Sequence, residues 1–270
     1  MTKKQINDLR YSVSPARFMR EVVGFVPDPW QEKVLESNAK QIILNCTRQG
    51  GKSTVTSGAA THQARYFDNS LILLISPSLR QSSELFKKIQ TFYKAIPNKL
   101  SLIEDNKLSM TLNNGSRIVS LPANEDTIRG FSAVDLMIID EAAMVSDALY
   151  RTIRPMLAVS GGKLIIMSTP FGKRGFFHDE WHSTTSKWER YRVTADDCPR
   201  ISQEFLESER ASMGDWWFRQ EYMCEFVEND NSVFNYDMIM ESISDDVRPL
   251  FSLEPHEIVF DEVQPLFLGA

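Results

Sequence analysis

The stretch QIILNCTRQGGKST, residues 41–54, decides the fold. Its opening run QIILNC is short, apolar and β-branched, the profile of a strand buried on both faces. Gly50 and Gly51 break that run, and a helix is expected over 52–67. Strand, glycine turn and helix in this order form the setting that a phosphate-binding loop requires. Backbone N–H groups of Gly50, Gly51, Lys52 and Ser53 then face phosphates at a helix N-terminus. Lys52 supplies charge for the β- and γ-phosphates, and the Ser53 hydroxyl is a ligand for Mg2+. Counting back from Gly51, Cys46 stands where the general pattern GxxxxGK[ST] has its first glycine.

Outward from this stretch the chain repeats the same alternation. LILLIS (71–76), DLMIID (135–140) and KLIIMS (163–168) are further buried strands, and 81–96 reads as a helix. KLSMTL and SRIVSL, joined through Asn114-Gly115, read as a β-hairpin. Residues 14–37 read as helical, interrupted at Pro27 and Pro29. The expected fold is therefore α/β, a mostly parallel sheet with helices on both faces. After Pro170 the apolar strands stop, and 201–226 looks like one or two helices rich in Trp and Phe. EIVF (257–260) and PLFLGA (265–270) look like short strands, and the chain stops inside the second, as the front of a longer protein does.

Composition narrows the function classes. With 42% hydrophobic and 24% charged residues over 270, the chain suits one large domain with a small appendage. No apolar run approaches the ~20 residues of a membrane-spanning helix, and no secretory signal follows Lys3 and Lys4. Cys46, Cys198 and Cys224 are odd in number and lack CxxC spacing, which argues against disulfides or zinc and for a reducing compartment. The net charge of −6 hides an asymmetry. Residues 225–270 hold eleven Asp and Glu against Arg248 alone, and residues 1–224 hold 29 basic and 25 acidic residues. A mildly basic body permits phosphate contacts without demanding them.

The second chemical element is LMIIDEAA (136–143), four apolar residues and then two acids. Acids at the C-terminal edge of a parallel strand face the crevice where such sheets bind ligands. Asp140 is the candidate for holding Mg2+ through water, and Glu141 for orienting and deprotonating an attacking water. Ser168-Thr169-Pro170 ends the next strand, either as a γ-phosphate sensor or as an ordinary strand exit. Loop and acids together point to a magnesium-dependent ATPase.

In this order the pieces resemble the large terminase subunit of tailed bacteriophages, over roughly residues 20–226. The resemblance implies an ASCE-type, RecA-like P-loop NTPase with a small helical lid. ProTrpGln at 29–31 resembles the family's adenine motif, which assigns Trp30 and Gln31 to the base; Thr47, Gln49 and Thr54 complete the nucleotide-binding loop. Cys46 and Arg48 fit the family's degenerate first glycine and basic loop residue. Asp140 and Glu141 match its metal-binding and catalytic acids, and Ser168-Thr169-Pro170 its coupling motif. ArgGlyPheSer at 129–132 matches the segment that in some members gives an arginine finger to the neighbouring subunit. GluArg at 209–210 and GlnGluTyrMetCysGluPhe at 220–226 resemble the lid. Implied boundaries are 1–195 for the ATPase core, 196–227 for the lid, and 228–270 for an acidic linker and the start of a truncated RNase H-like nuclease. The implied activity is ATP hydrolysis driving double-stranded DNA into procapsids in the host cytoplasm, without nuclease activity for these residues. Portal protein and small terminase subunit are the implied partners of a homo-oligomeric ring, whose isolated chain is a candidate monomer.

Other features have plainer readings. His178 and His182 in HDEWH lack the Glu that HExxH needs after its first His, and read as surface helix or loop. Arg129 is either a finger or a partner of Glu125 or Asp126. Arg48 reads as functional because little else in the loop neutralises it. Lys173, Arg174, Arg190 and Arg192 form either a phosphate-contacting surface or a solvated face. Trp216, Trp217 and Phe218 read as lid core. Two competitors stand: a helicase of the DEAD/DExH kind, which needs a second RecA domain, and a nucleotide-binding interaction module without turnover.

Overall fold

A computed structural model describes residues 2–228. Eight strands form one sheet: β1 (Gln41–Cys46), β2 (Leu71–Ser76), β3 (Leu102–Asp105), β4 (Ser109–Leu112), β5 (Arg117–Pro122), β6 (Leu136–Asp140), β7 (Lys163–Ser168) and β8 (Glu189–Val193). Their spatial order is β3-β4-β5-β2-β6-β7-β1-β8. From β5 to β8 every pairing is parallel, and β3 and β4 extend the sheet antiparallel.

The apolar runs fill both faces by simple alternation. Ile42 and Leu44 of β1, Ile72 and Leu74 of β2, Ile138 of β6 and Ile165 of β7 point into one cluster. Ile43, Leu73, Ile75, Ile139 and Ile166 point into the other. Nine helices cover these faces among the described residues: α1 (Lys3–Val13), α2 (Pro15–Phe18), α3 (Pro29–Glu36), α4 (Lys52–Tyr66), α5 (Leu79–Ala95), α6 (Glu125–Ile128), α7 (Asp147–Ile153), α8 (Gly175–His182) and α9 (Gln203–Glu221). A small third cluster, Leu206, Phe218 and Tyr222 with Ala195, gathers under α9. The two candidate strands near the C-terminus lie outside the described residues.

Several local expectations are corrected. The 14–37 segment is not one helix: α2 runs into a π-helical turn, Met19–Val23, which Gly24 ends at φ +81° before α3 begins at Pro29. Thr2 caps α1 with a reciprocal bond to Gln5, so the chain start is helical too. The apolar strands do stop at Pro170, but a further, polar strand follows: ERYRV forms β8 along the open side of β1. Only Val193 of that strand is buried, so it carries no apolar run. α9 is broken at Gly214 (φ +81°) into two arms. None of the described helices is long and apolar enough to cross a membrane.

Candidate functional site

Register brings three strand ends to one edge. Asn45 of β1 lies opposite Ser168 of β7, and Met167 lies opposite Asp140 of β6. The loop after β1 and the acids after β6 are therefore separated by one strand, whose own end supplies Ser168-Thr169-Pro170.

Gly51 is the pivot of the loop. It sits at φ +101°, and an added Cβ there would come within 2.5 Å of Gln31 Nε2, so only glycine fits. It precedes α4, whose first amides have no intrahelical acceptors. The Gly50 N–H, however, closes a turn onto Thr47 O at 3.2 Å and faces inward to the loop. Gln49 is exposed at φ +58°, and the Thr54 N–H returns to Gly51 O at 3.1 Å.

Lys52 and the acids form a buried charge cluster. Lys52 Nζ lies 2.9 Å from Glu141 Oε1. Burial alone would lower the Lys52 pKa, but Glu141 and Asp140 outweigh it and hold the ammonium above its usual value. Asp140 is pushed up to about 6, first by burial and then by Glu141, with Lys52 and a bond from the Glu141 amide opposing. Glu141 leaves the sheet at φ +48°, a left-handed conformation costing about 1 kcal/mol or more outside glycine. That turn swings its carboxylate toward Lys52, and Ser168 Oγ donates to Glu141 Oε2 at 3.4 Å. Ser53, Asp140 and Glu141 line one cavity of about 150 Å³.

On the opposite flank the loop is tied to the segment that ends α9. Arg48, 66% exposed, pairs with the Glu221 carboxylate, 10% exposed. Thr47 Oγ1 donates to Glu221 O at 3.0 Å, and Asn45 Nδ2 to Cys224 O at 2.9 Å. The Gly172 amide, just past the β7 exit, donates to Gln220 Oε1 at 3.2 Å. The expectation that nothing nearby neutralises Arg48 is thus corrected: Glu221 does.

Gln31 is 1% exposed and bridges α3 to the loop, accepting from the Asp28 N–H and donating to Gly51 O at 3.2 Å. Arg200 joins the same corner through Asp28 and Gly50 O. Trp30 packs partly buried against the core, with no hydrogen-bond partner for its Nε1 among the described residues.

Other candidates fall away from the site. Arg129 is 64% exposed and pairs with Glu125 at 3.0 Å, not with the loop of its own chain. His178 is buried against Phe226 in α8, not on a surface. No group of three or more His, Cys, Asp and Glu among the described residues is arranged to hold a metal. Arg190 donates to the carbonyls of Trp181, Glu180 and Ser183, Arg192 to Met223 O, and Lys173 pairs with Glu228, while Arg174 lies exposed over the Phe171 ring. Phe218 is buried in the small cluster under α9, whereas Trp217 is 45% exposed. Arg200 was not singled out by the sequence, and Glu221 only as part of the 220–226 segment and not as a loop partner, because neither lies near the loop in the chain.

A phosphate loop after one parallel strand, acids ending another, and a single strand between them define a RecA-like P-loop fold. The chain belongs to the terminase large-subunit family, T4likevirus type, whose N-terminal region is matched by residues 43–240. The terminase large subunit of Thermus phage G20c is 26% identical over 251 aligned residues, covering 80% of this chain and 52% of that protein. The large terminase ATPase domain of Thermus phage P74-26 superimposes with a TM-score of 0.68 at 24% identity, covering 79% of this chain and 99% of that one. The large terminase of another thermophilic bacteriophage, in complex with ADP, gives 0.63 at 16% identity, covering 74% of this chain and 53% of that one. The chain spans about half the length of the curated relatives it matches.

Proposed function

We propose that this chain is the ATPase part of a packaging motor, hydrolysing ATP with Mg2+ to drive double-stranded DNA into a procapsid. The observation that carries the reading is that Ser53, Asp140 and Glu141 line one cavity while Lys52 pairs with Glu141 at 2.9 Å. One hydroxyl and one carboxylate beside a phosphate seat are hard oxygen donors that suit Mg2+, which keeps several waters and needs no protein cage. Bound there, the ion supplies charge for the triphosphate oxygens. Lys52 and Arg48 add charge to the β- and γ-phosphates. A γ-phosphate draws Lys52 away from Glu141, and the released carboxylate takes the proton of the attacking water. Gln31 and Trp30 face the base, and Thr47, Gln49, Gly50, Gly51 and Thr54 complete the loop around the phosphates. Ser168-Thr169-Pro170 senses the phosphate through Glu141, and Arg129 acts on the site of a neighbouring subunit.

The proposed division is a core over 1–195, a lid over 196–227, and from 228 a linker toward a nuclease part held by the longer protein. DNA contacts go to phosphates, since packaging tracks any sequence; portal protein and small subunit complete the assembly in the host cytoplasm. The family membership and the ADP complex of the thermophilic phage terminase support nucleotide use. The test is Mg-ATP turnover per chain across protein concentration, with Lys52→Ala and Arg129→Ala beside the parent. Turnover that rises with concentration and is lost in both variants supports the motor. Nucleotide binding with no turnover, unchanged in Glu141→Ala, overturns it in favour of a binding module.

A further inference from the structure

The cavity that holds Ser53, Asp140 and Glu141 has a second wall that the proposed chemistry leaves unused. It is the first half of α5, which presents Arg80, Gln81, Glu84, Leu85 and Lys88. Leu85 anchors this wall in the core at 2% exposure, fixing which face of the helix meets the cavity. Glu84 is held by Lys87 at 2.8 Å, and Gln81 by the Ser78 hydroxyl. Arg80 and Lys88 make no ion pair among the described residues, although they stand eight positions apart on the face that looks at two carboxylates. Lys88 is close enough to act on Asp140 electrostatically.

Charge balance says what such a pair is for. Lys52 is matched by Glu141 and Arg48 by Glu221. A phosphoryl group entering beside Asp140 and Glu141 meets two like charges at once, and needs cations beyond those already paired. A cavity of about 150 Å³ has room for a tetrahedral oxyanion. Ser53 marks the wall beside the phosphate loop, so this is the far, γ end of a bound triphosphate.

We infer that Arg80 and Lys88 are positioning residues that grip a terminal phosphoryl dianion from the same chain, opposite the phosphate loop. The grip applies to the γ-phosphoryl of bound nucleotide and to inorganic phosphate before it leaves. This rests on the nucleotide-binding reading above. It gives the site a cation pair in cis that owes nothing to a neighbouring subunit.

The experiment is calorimetric titration of the full chain and of the Arg80→Ala/Lys88→Ala double variant with Mg-ADP, Mg-ATPγS, and inorganic phosphate added to the Mg-ADP-loaded protein. Both side chains are exposed, so the variant folds as the parent does. The expected result is ATPγS binding weakened about tenfold or more with ADP held within about twofold, and partial recovery in Arg80→Lys/Lys88→Arg. Phosphate binding that is present in the parent and lost in the variant assigns the grip to the product as well. Phosphate that binds neither protein, with the ATPγS effect intact, assigns it to the attached group alone. Equal weakening of ADP and ATPγS, or no change in either, overturns the inference while leaving the nucleotide site standing. A parent that binds neither nucleotide overturns the nucleotide reading itself, and this one with it.

Discussion

The two ends of α4 treat a buried titratable side chain in opposite ways. At the N-terminal end Lys52 is 8% exposed and kept charged, because two carboxylates face it. Roughly 15 Å along the axis, at about 1.5 Å per residue, His62 is 4% exposed and kept neutral. Burial drives the His62 pKa down to about 4, and the bond to Tyr11 O and the charge of Glu36 recover only part of the loss. The neutral ring donates from Nε2 to Tyr11 O at 2.9 Å and packs against Phe18, Tyr66 and Phe67. Similar burial thus yields opposite charge states, and the partner decides which. One end of the helix stores charge that a ligand can reclaim, and the other carries none to reclaim.

Removing the stored charge breaks this contrast most severely. Lys52→Ala is expected to cut Mg-ATP turnover by roughly 10²–10³-fold, the scale of losing one preorganised electrostatic contact. Steady-state turnover checks it, with circular dichroism confirming the fold.

Acid sharpens the contrast from the other end. A histidine whose folded pKa is about 4 against an unfolded value of 6.5 takes up its proton more readily when unfolded. Its share of stability is therefore intact above pH 6.5 and lost as the pH falls toward 4, to a total of about 3 kcal/mol. Urea midpoints across that window should fall for the parent and fall less for His62→Gln.

A smaller effect is expected on the flank of the loop that meets the end of α9. Glu221→Gln removes the acid that holds Arg48, costing about 1–2 kcal/mol of stability while freeing the guanidinium for phosphate. The urea midpoint and the Kd for Mg-ADP should both fall, with less stability and tighter binding. The smallest effect belongs to Arg129. Its exposed pair with Glu125, four residues back on a short helix, is worth no more than about 0.5 kcal/mol. Arg129→Ala should leave the urea midpoint nearly unchanged even where its turnover falls.

How much of this was legible in the chain follows from where each element sits in the sheet. β1, β2, β6 and β7 are buried on both faces, so their apolar runs mark them before any folding is considered. β8 lies at one edge and β3 at the other; ERYRV buries Val193 alone and LIED buries nothing, so neither has a pattern to find. The π-helical turn before Gly24 was hidden for a different reason. Its residues have ordinary helix propensity, and Met19 packs closely against Gly58 of α4, a contact no local pattern announces. Within the site, Lys52 and Asp140 stand out because phosphate chemistry fixes their spacing to strand ends. Glu221 is 173 residues from Arg48, and only the folded chain brings the two together. Arg80 and Lys88 sit in an ordinary amphipathic helix whose polar face looks like any other.

The segment from Gln220 to Cys224 bonds to the phosphate loop, to β1 and to the turn beyond β7. On the proposed reading, a partner of α9 and a nucleotide are, in thermodynamic terms, two ligands of one equilibrium. Linkage then runs both ways: a partner that fastens on α9 and shifts this segment changes nucleotide affinity by the same factor by which nucleotide changes the partner's hold. On that reading, a load applied to α9 is written into the nucleotide Kd.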